Sequence, residues 1–141
     1  MKNKLKILNK QLDKKLFDQF SIESISKNSK VLTISFESIS GGEYENETLI
    51  VELEGVDYFS IPWSFSYFSK VLFLDMTNDF FETLEKLNIV PEDLCDIDDQ
   101  GQIFKKLIKI NFSESSSFYI MFSNLNAWLK IYPNNTRINI C

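Results

Sequence analysis

Val31-Leu32-Thr33-Ile34-Ser35-Phe36-Glu37, answered by Thr48-Leu49-Ile50-Val51-Glu52-Leu53, is the stretch on which the fold class turns. In the first run Leu32, Ile34 and Phe36 fall on one side, and Thr33, Ser35 and Glu37 on the other. In the second, Leu49, Val51 and Leu53 oppose Thr48, Ile50 and Glu52. A period of two belongs to an extended chain with one buried face and one wet face. Between the runs lies Ser40-Gly41-Gly42-Glu43-Tyr44-Glu45-Asn46, rich in turn-forming residues. Together they predict a β-hairpin.

Upstream the period changes. Leu5, Leu8, Leu12, Leu16 and Phe20 recur at three- and four-residue spacing among Lys and Gln, which predicts an amphipathic helix over 4–20. Ser21 to Lys30 lacks that period and reads as a connector with room for a short strand. Downstream, Phe59-Ser60-Ile61-Pro62-Trp63-Ser64-Phe65-Ser66-Tyr67 alternates apolar with Ser or Pro, as a half-buried edge strand does. Val71 to Met76 reads as a more buried strand. Thr77-Asn78-Asp79 offers helix caps before Phe80, Phe81, Leu84 and Leu87, and Pro91 disfavours continuation beyond Asn88. Glu92 to Gln102 reads as an acidic loop.

Alternation returns in Ile108, Ile110 and Phe112, in Phe118, Ile120 and Phe122, and in Trp128, Lys130 and Tyr132, with a short end strand after Pro133. The expected fold is α+β: a mainly antiparallel β-sheet of about six to eight strands, an N-terminal helix and one mid-chain helix, in a single domain over 1–141.

A chain of 141 residues, 44% hydrophobic with thirteen Phe, holds enough apolar material for one core without staples. The two cysteines, Cys95 and Cys141, form no metal-binding spacing, and free thiols in a reducing compartment fit them best. No apolar run follows the lysine-rich start and none is long enough to span a bilayer, so a cytoplasmic location is expected. The abundance of Lys, Asn, Ile, Phe and Ser suggests an AT-rich coding sequence and a bacterial or phage source.

Charge is segregated along the chain. Residues 1–30 hold eight Lys against Asp13, Asp18 and Glu23; residues 31–99 hold sixteen acidic side chains against Lys70 and Lys86. Residues 100–141 hold four Lys and Arg137 against Glu114. This layout is either a set of solvated faces that offset one another on folding, or a negative patch that steers a basic partner. With a net charge of -5 and a single arginine, direct nucleic-acid binding is disfavoured.

Much familiar chemistry is missing. Without histidine the chain has no Ser-His-Asp or Cys-His machinery and lacks the commonest metal ligand. Neither phosphate-binding glycine motif is present. Enzymatic activity is therefore not expected; carboxylate-only catalysis is the remaining route, and no pair marks it. Asp96-Ile97-Asp98-Asp99-Gln100-Gly101-Gln102-Ile103 starts like a calcium loop, but position five is Gln100 and position twelve is Leu107 where a bidentate Glu belongs. It reads as an acidic turn, and no cofactor or metal is expected. Trp63, Phe65 and Tyr67 read as core at strand spacing, whereas Tyr44 and Tyr58, beside acidic residues, suit exposed contacts.

In size, charge and architecture the chain resembles small acidic bacterial immunity proteins of polymorphic and contact-dependent toxin systems. The residues that carry the resemblance are Gly55-Val56-Asp57-Tyr58-Phe59-Ser60-Ile61-Pro62-Trp63 and the Lys106-to-Ser123 hairpin. It implies an inhibitor that occludes a basic toxin, with Glu92, Asp93, Asp96, Asp98 and Asp99 masking the basic site. Tyr44 and Tyr58, from their acidic setting, complete the candidate partner-binding set. A phage-encoded inhibitor of a host nuclease would use the same physics. A different class is a small apolar-ligand binding domain, its Phe-rich strands enclosing a pocket.

Overall fold

The alternation of the opening hairpin sets the inner face of a sheet. The computed structural model describes residues 1–38, 46–60, 71–90, 106–111 and 117–141, with backbone alone for 14–23, 38 and 58. Helix α1 (Lys2–Gln19) is followed by β1 (Phe20–Asn28), β2 (Val31–Ser38), β3 (Glu47–Glu54) and β4 (Tyr58–Phe59). Then come β5 (Leu72–Asp75), a 3₁₀ turn (Thr77–Asp79), α2 (Phe80–Lys86), β6 (Lys106–Asn111), β7 (Ser117–Phe122), β8 (Asn124–Ile131) and β9 (Thr136–Asn139). Among the described residues this is an α+β fold, mainly antiparallel sheet, with eight strands of four residues or more and the two-residue β4.

The strands form two sheets, one ordered β1-β2-β3-β8-β9 and the other β4-β7-β6-β5. Every pairing is antiparallel. The predicted hairpin is present, with Ile34 opposite Val51 and Phe36 opposite Leu49. Its inward residues meet Leu125, Ala127 and Leu129 of β8 and, from the second sheet, Phe73, Ile108, Ile110, Phe118, Ile120 and Phe122. Leu5, Leu8 and Leu12 of α1 enter the same cluster, so both sheets share one core. Each fully buried Leu, Ile or Phe contributes about 1.5–3 kcal/mol relative to exposure.

Among the described residues two chain segments pass from one sheet to the other. β3 runs through Gly55, Val56 and Asp57 into β4, and β7 runs through Ser123 into β8. The passages are bonded to each other: the Ser123 N–H donates to the Glu54 carbonyl (2.8 Å) and the Asp57 N–H to that of Met121 (3.1 Å). Gly55, at φ 66°, takes a left-handed conformation that would cost a residue with a Cβ. A bend of this kind is how strands turn the corner between packed sheets.

α1 spans both sheets. The Lys4 Nζ donates to the Leu125 carbonyl in β8 (2.8 Å). Across the helix, the Asn9 amide donates to the Phe73 carbonyl (2.7 Å) and accepts from the Phe73 N–H (2.8 Å). β5 is an edge strand, and that paired contact satisfies backbone groups an open edge would leave unpaired.

The other helix covers the back of the second sheet. Phe80 and Leu84 pack with Leu107 and Met121, which point away from the shared core. Its end is set by Asn88 rather than by Pro91. Asn88 is left-handed (φ 57°), its N–H donates to the Glu85 carbonyl, and the Ile89 N–H reaches back to Leu84 (2.9 Å). That is the Schellman closure, with Ile89 packed on the cluster that contains Leu84. The expected caps at 77–79 take another form: Asp79 makes no side-chain cap, and Asp75 Oδ1 instead accepts from the Thr77 N–H (2.9 Å).

One expectation is corrected. Ser21 to Lys30 is not a connector; β1 is a nine-residue strand paired with the whole of β2. A register shift between Ile22 and Ser24 sets Ile22 opposite Phe36 and Ile25 opposite Ile34, on the same face of β2. The extra residue hides the period of two.

Candidate protein-binding surface

The outer faces of the sheets supply the described surfaces on which a partner could rest. On the first sheet the register aligns Ser35, Ile50, Trp128 and Asn139 across the strands, with Thr33, Glu52 and Asn126 beside them. Glu37, Thr48, Lys130 and Arg137 form the row on the other side. The Arg137 guanidinium lies over the Trp128 ring at 4.0 Å, and its Nε donates to Asn139 Oδ1 (3.0 Å). The acidic side chains Glu37 and Glu52 lie on β2 and β3 and the basic Lys130 and Arg137 on β8 and β9, so the face carries both signs.

The solvent side of α2 differs. Phe80, Thr83 and Leu84 are buried toward the second sheet. Phe81 is one residue, and therefore about 100° around a 3.6-residue turn, from Phe80, and it is 50% exposed. Edge-to-face packing on Phe80 supports it (centroids 5.6 Å apart, planes at 85°). Asp79, Glu82 and Glu85, at i−2, i+1 and i+4 from it, are also exposed. Lys86 reaches Glu82 only at 4.0 Å, an exposed i,i+4 contact of small worth. A half-exposed aromatic residue with exposed carboxylates near it in sequence can dock into an apolar depression while the carboxylates meet cations.

The structure thus divides the described carboxylates of the acidic middle. Glu37, Glu52 and Glu54 lie on the outer face of the first sheet, whereas Asp79, Glu82 and Glu85 lie behind the second. Asp57 is paired with Lys30 across 3.3 Å. Among the residues named from sequence, Tyr58 lies in β4, its backbone opposite Met121. Tyr44, Glu92, Asp93, Asp96, Asp98 and Asp99 lie outside the described residues, as do the calcium-loop-like stretch 96–103, Cys95 and the Trp63-Phe65-Tyr67 stripe.

Phe81 is the residue that sequence reasoning misplaced, by counting it in the apolar stripe of α2. A signal was present. Phe80, Leu84 and Leu87 already satisfy the i, i+4, i+7 spacing, and Phe81 stands about 100° round the helix from Phe80, at the margin of that stripe.

Other chemistry is sparse. Among the described residues no three His, Cys, Asp or Glu side chains gather as metal ligands, and no helix is long and apolar enough to cross a membrane. Cys141 is held rather than frayed: its N–H donates to the Ala127 carbonyl (3.2 Å), and its own carbonyl accepts from the Ala127 N–H (3.0 Å). Burial pushes its thiol pKa up, offset in part by the nearby Lys4 ammonium and the Ala127 backbone hydrogen bond. Compared with known protein families, curated proteins and solved structures, the chain matches none.

Proposed function

We propose that this chain is a macromolecule-binding protein that neutralises a basic protein partner by occlusion, as an immunity protein does its toxin, and that the solvent side of α2 anchors the contact. The observation that supports the reading is Phe81, an aromatic residue half in water, with the exposed Asp79, Glu82 and Glu85 near it in sequence. Aromatic anchors inside a charged rim are where interface energy concentrates. The rim steers a cationic partner, and the ring, once desolvated, slows its departure. In sequence the acidic run Glu92, Asp93, Asp96, Asp98 and Asp99 follows α2 closely and carries charge of the same sign.

The test uses matched baits in extracts of the source organism: the wild-type chain, and a chain carrying Phe81→Ala, Glu82→Lys and Glu85→Lys. A basic protein retained by the wild type should fall at least about tenfold on the variant, equal to 1.4 kcal/mol, and should be released by salt. Equal recovery on both baits, or retention indifferent to salt, overturns the reading. A third bait with Asp96, Asp98 and Asp99 reversed to Lys measures what the acidic run adds.

A further inference from the structure

Two surface features of the described residues complement each other. The first is Phe81 with its carboxylates on α2. The second is a groove of about 300 Å³ between α1 and the start of β5, lined by Lys6, Asn9, Lys10, Asp13, Val71 and Leu72. Asn9 spends its amide on Phe73, so the polar rim facing solvent is chiefly Lys6 and Lys10, with Asp13 at one end. Lys2, Lys6 and Lys10 succeed one another at i, i+4 spacing on the exposed stripe of α1, beside Ile7, which is 44% exposed. One surface is an aromatic knob with carboxylates near it in sequence; the other is a groove with apolar side chains and an ammonium rim.

We propose that the occupant of the α1–β5 groove is Phe81 of a second copy of this chain, with Glu82 and Glu85 of that copy meeting Lys6 and Lys10. Charge complementarity selects the second copy: the groove presents the Lys6 and Lys10 ammonium groups at the spacing of one helical turn, and α2 presents the exposed Glu82 and Glu85, three residues apart, C-terminal to Phe81. Topology supports a closed pair. α1 packs on β5, and α2 follows β5 after a single 3₁₀ turn, so knob and groove flank the same edge strand. A twofold axis near β5 makes the contact twice, as closed dimers do. The proposal shares α2 with the partner-binding reading but does not rest on it; in the dimer Phe81 is hidden, so a second copy and a basic partner compete for it.

Sedimentation velocity on the purified full chain alone tests this, independently of whether any partner exists. At low salt the wild type should show a concentration-dependent dimer that dissociates as salt rises. Lys6→Glu with Lys10→Glu, and separately Glu82→Lys with Glu85→Lys, should each sediment as monomer. Mixing these two variants in equal amounts should restore the dimer, because each then offers the charge the other lacks. Phe81→Ser should weaken association at least tenfold. All the exchanged side chains are exposed, and unchanged thermal melts confirm that each variant is folded. A wild type that stays monomeric throughout, a dimer that survives either double substitution, or a mixture that fails to associate overturns the proposal.

Discussion

On the second sheet the outward residues Leu107 and Met121 are as apolar as the inward Ile108 and Ile120, and α2 covers them. On the first sheet the outward residues Thr33, Ser35, Glu52 and Asn126 are polar, with only Ile50 and Trp128 apolar among the rows described, and among the described residues no helix packs over them. The contrast shows how many layers a sheet acquires. A strand with one apolar face needs a single partner layer, whereas apolar residues on both faces demand a second one. Here that second layer, α2, also carries an aromatic ring outward.

The contrast breaks most visibly by mutation under α2. Leu84→Ala should lower the unfolding free energy by about 2–5 kcal/mol in urea titration, while Thr33→Ala on the open face should stay within about 0.5 kcal/mol. Equal losses would mean that the first sheet is covered as tightly as the second. A smaller effect is expected at the groove. Asn9→Ala leaves the Phe73 N–H and carbonyl without their side-chain partner and should cost about 1–3 kcal/mol. A neutral result would show that water serves the β5 edge equally well.

The smallest effect is alkaline. The thiol pKa of Cys141 is raised in the folded chain, so its stabilisation is complete below the ordinary thiol pKa. It is lost as pH climbs through the folded value, because the unfolded chain releases the proton first. Relative to Cys141→Ser, the wild type should therefore lose stability as pH rises from neutral into the thiol range, read by thermal melts at matched salt. Parallel profiles would show that the C-terminal strand end is open to water.

Which parts of this architecture were legible in the residues follows from local periodicity. The hairpins Val31–Leu53 and Lys106–Phe122 were readable because each strand keeps one apolar face at period two. The Leu5, Leu8 and Leu12 stripe announced α1 in the same way. β1 was not readable, because one inserted residue erased its alternation. Nor was the candidate surface: the acidic residues form one block along the chain, yet Glu52 and Glu82 end on opposite outer sides once β3 and α2 are assigned to different sheets.

The amino-acid order by itself determined the element types other than β1, most of the inward residues and the absence of histidine chemistry, because these depend only on side-chain type and on spacing within one strand or helix. Tertiary structure alone decided the corner at Gly55 and Ser123, the clasp of Asn9 on Phe73 and the exposure of Phe81 beside buried Phe80. Each of these joins residues far apart in the chain or ranks two identical neighbours. The free energy that settles such choices comes from packing and hydrogen bonds made only when the sheets close over one core.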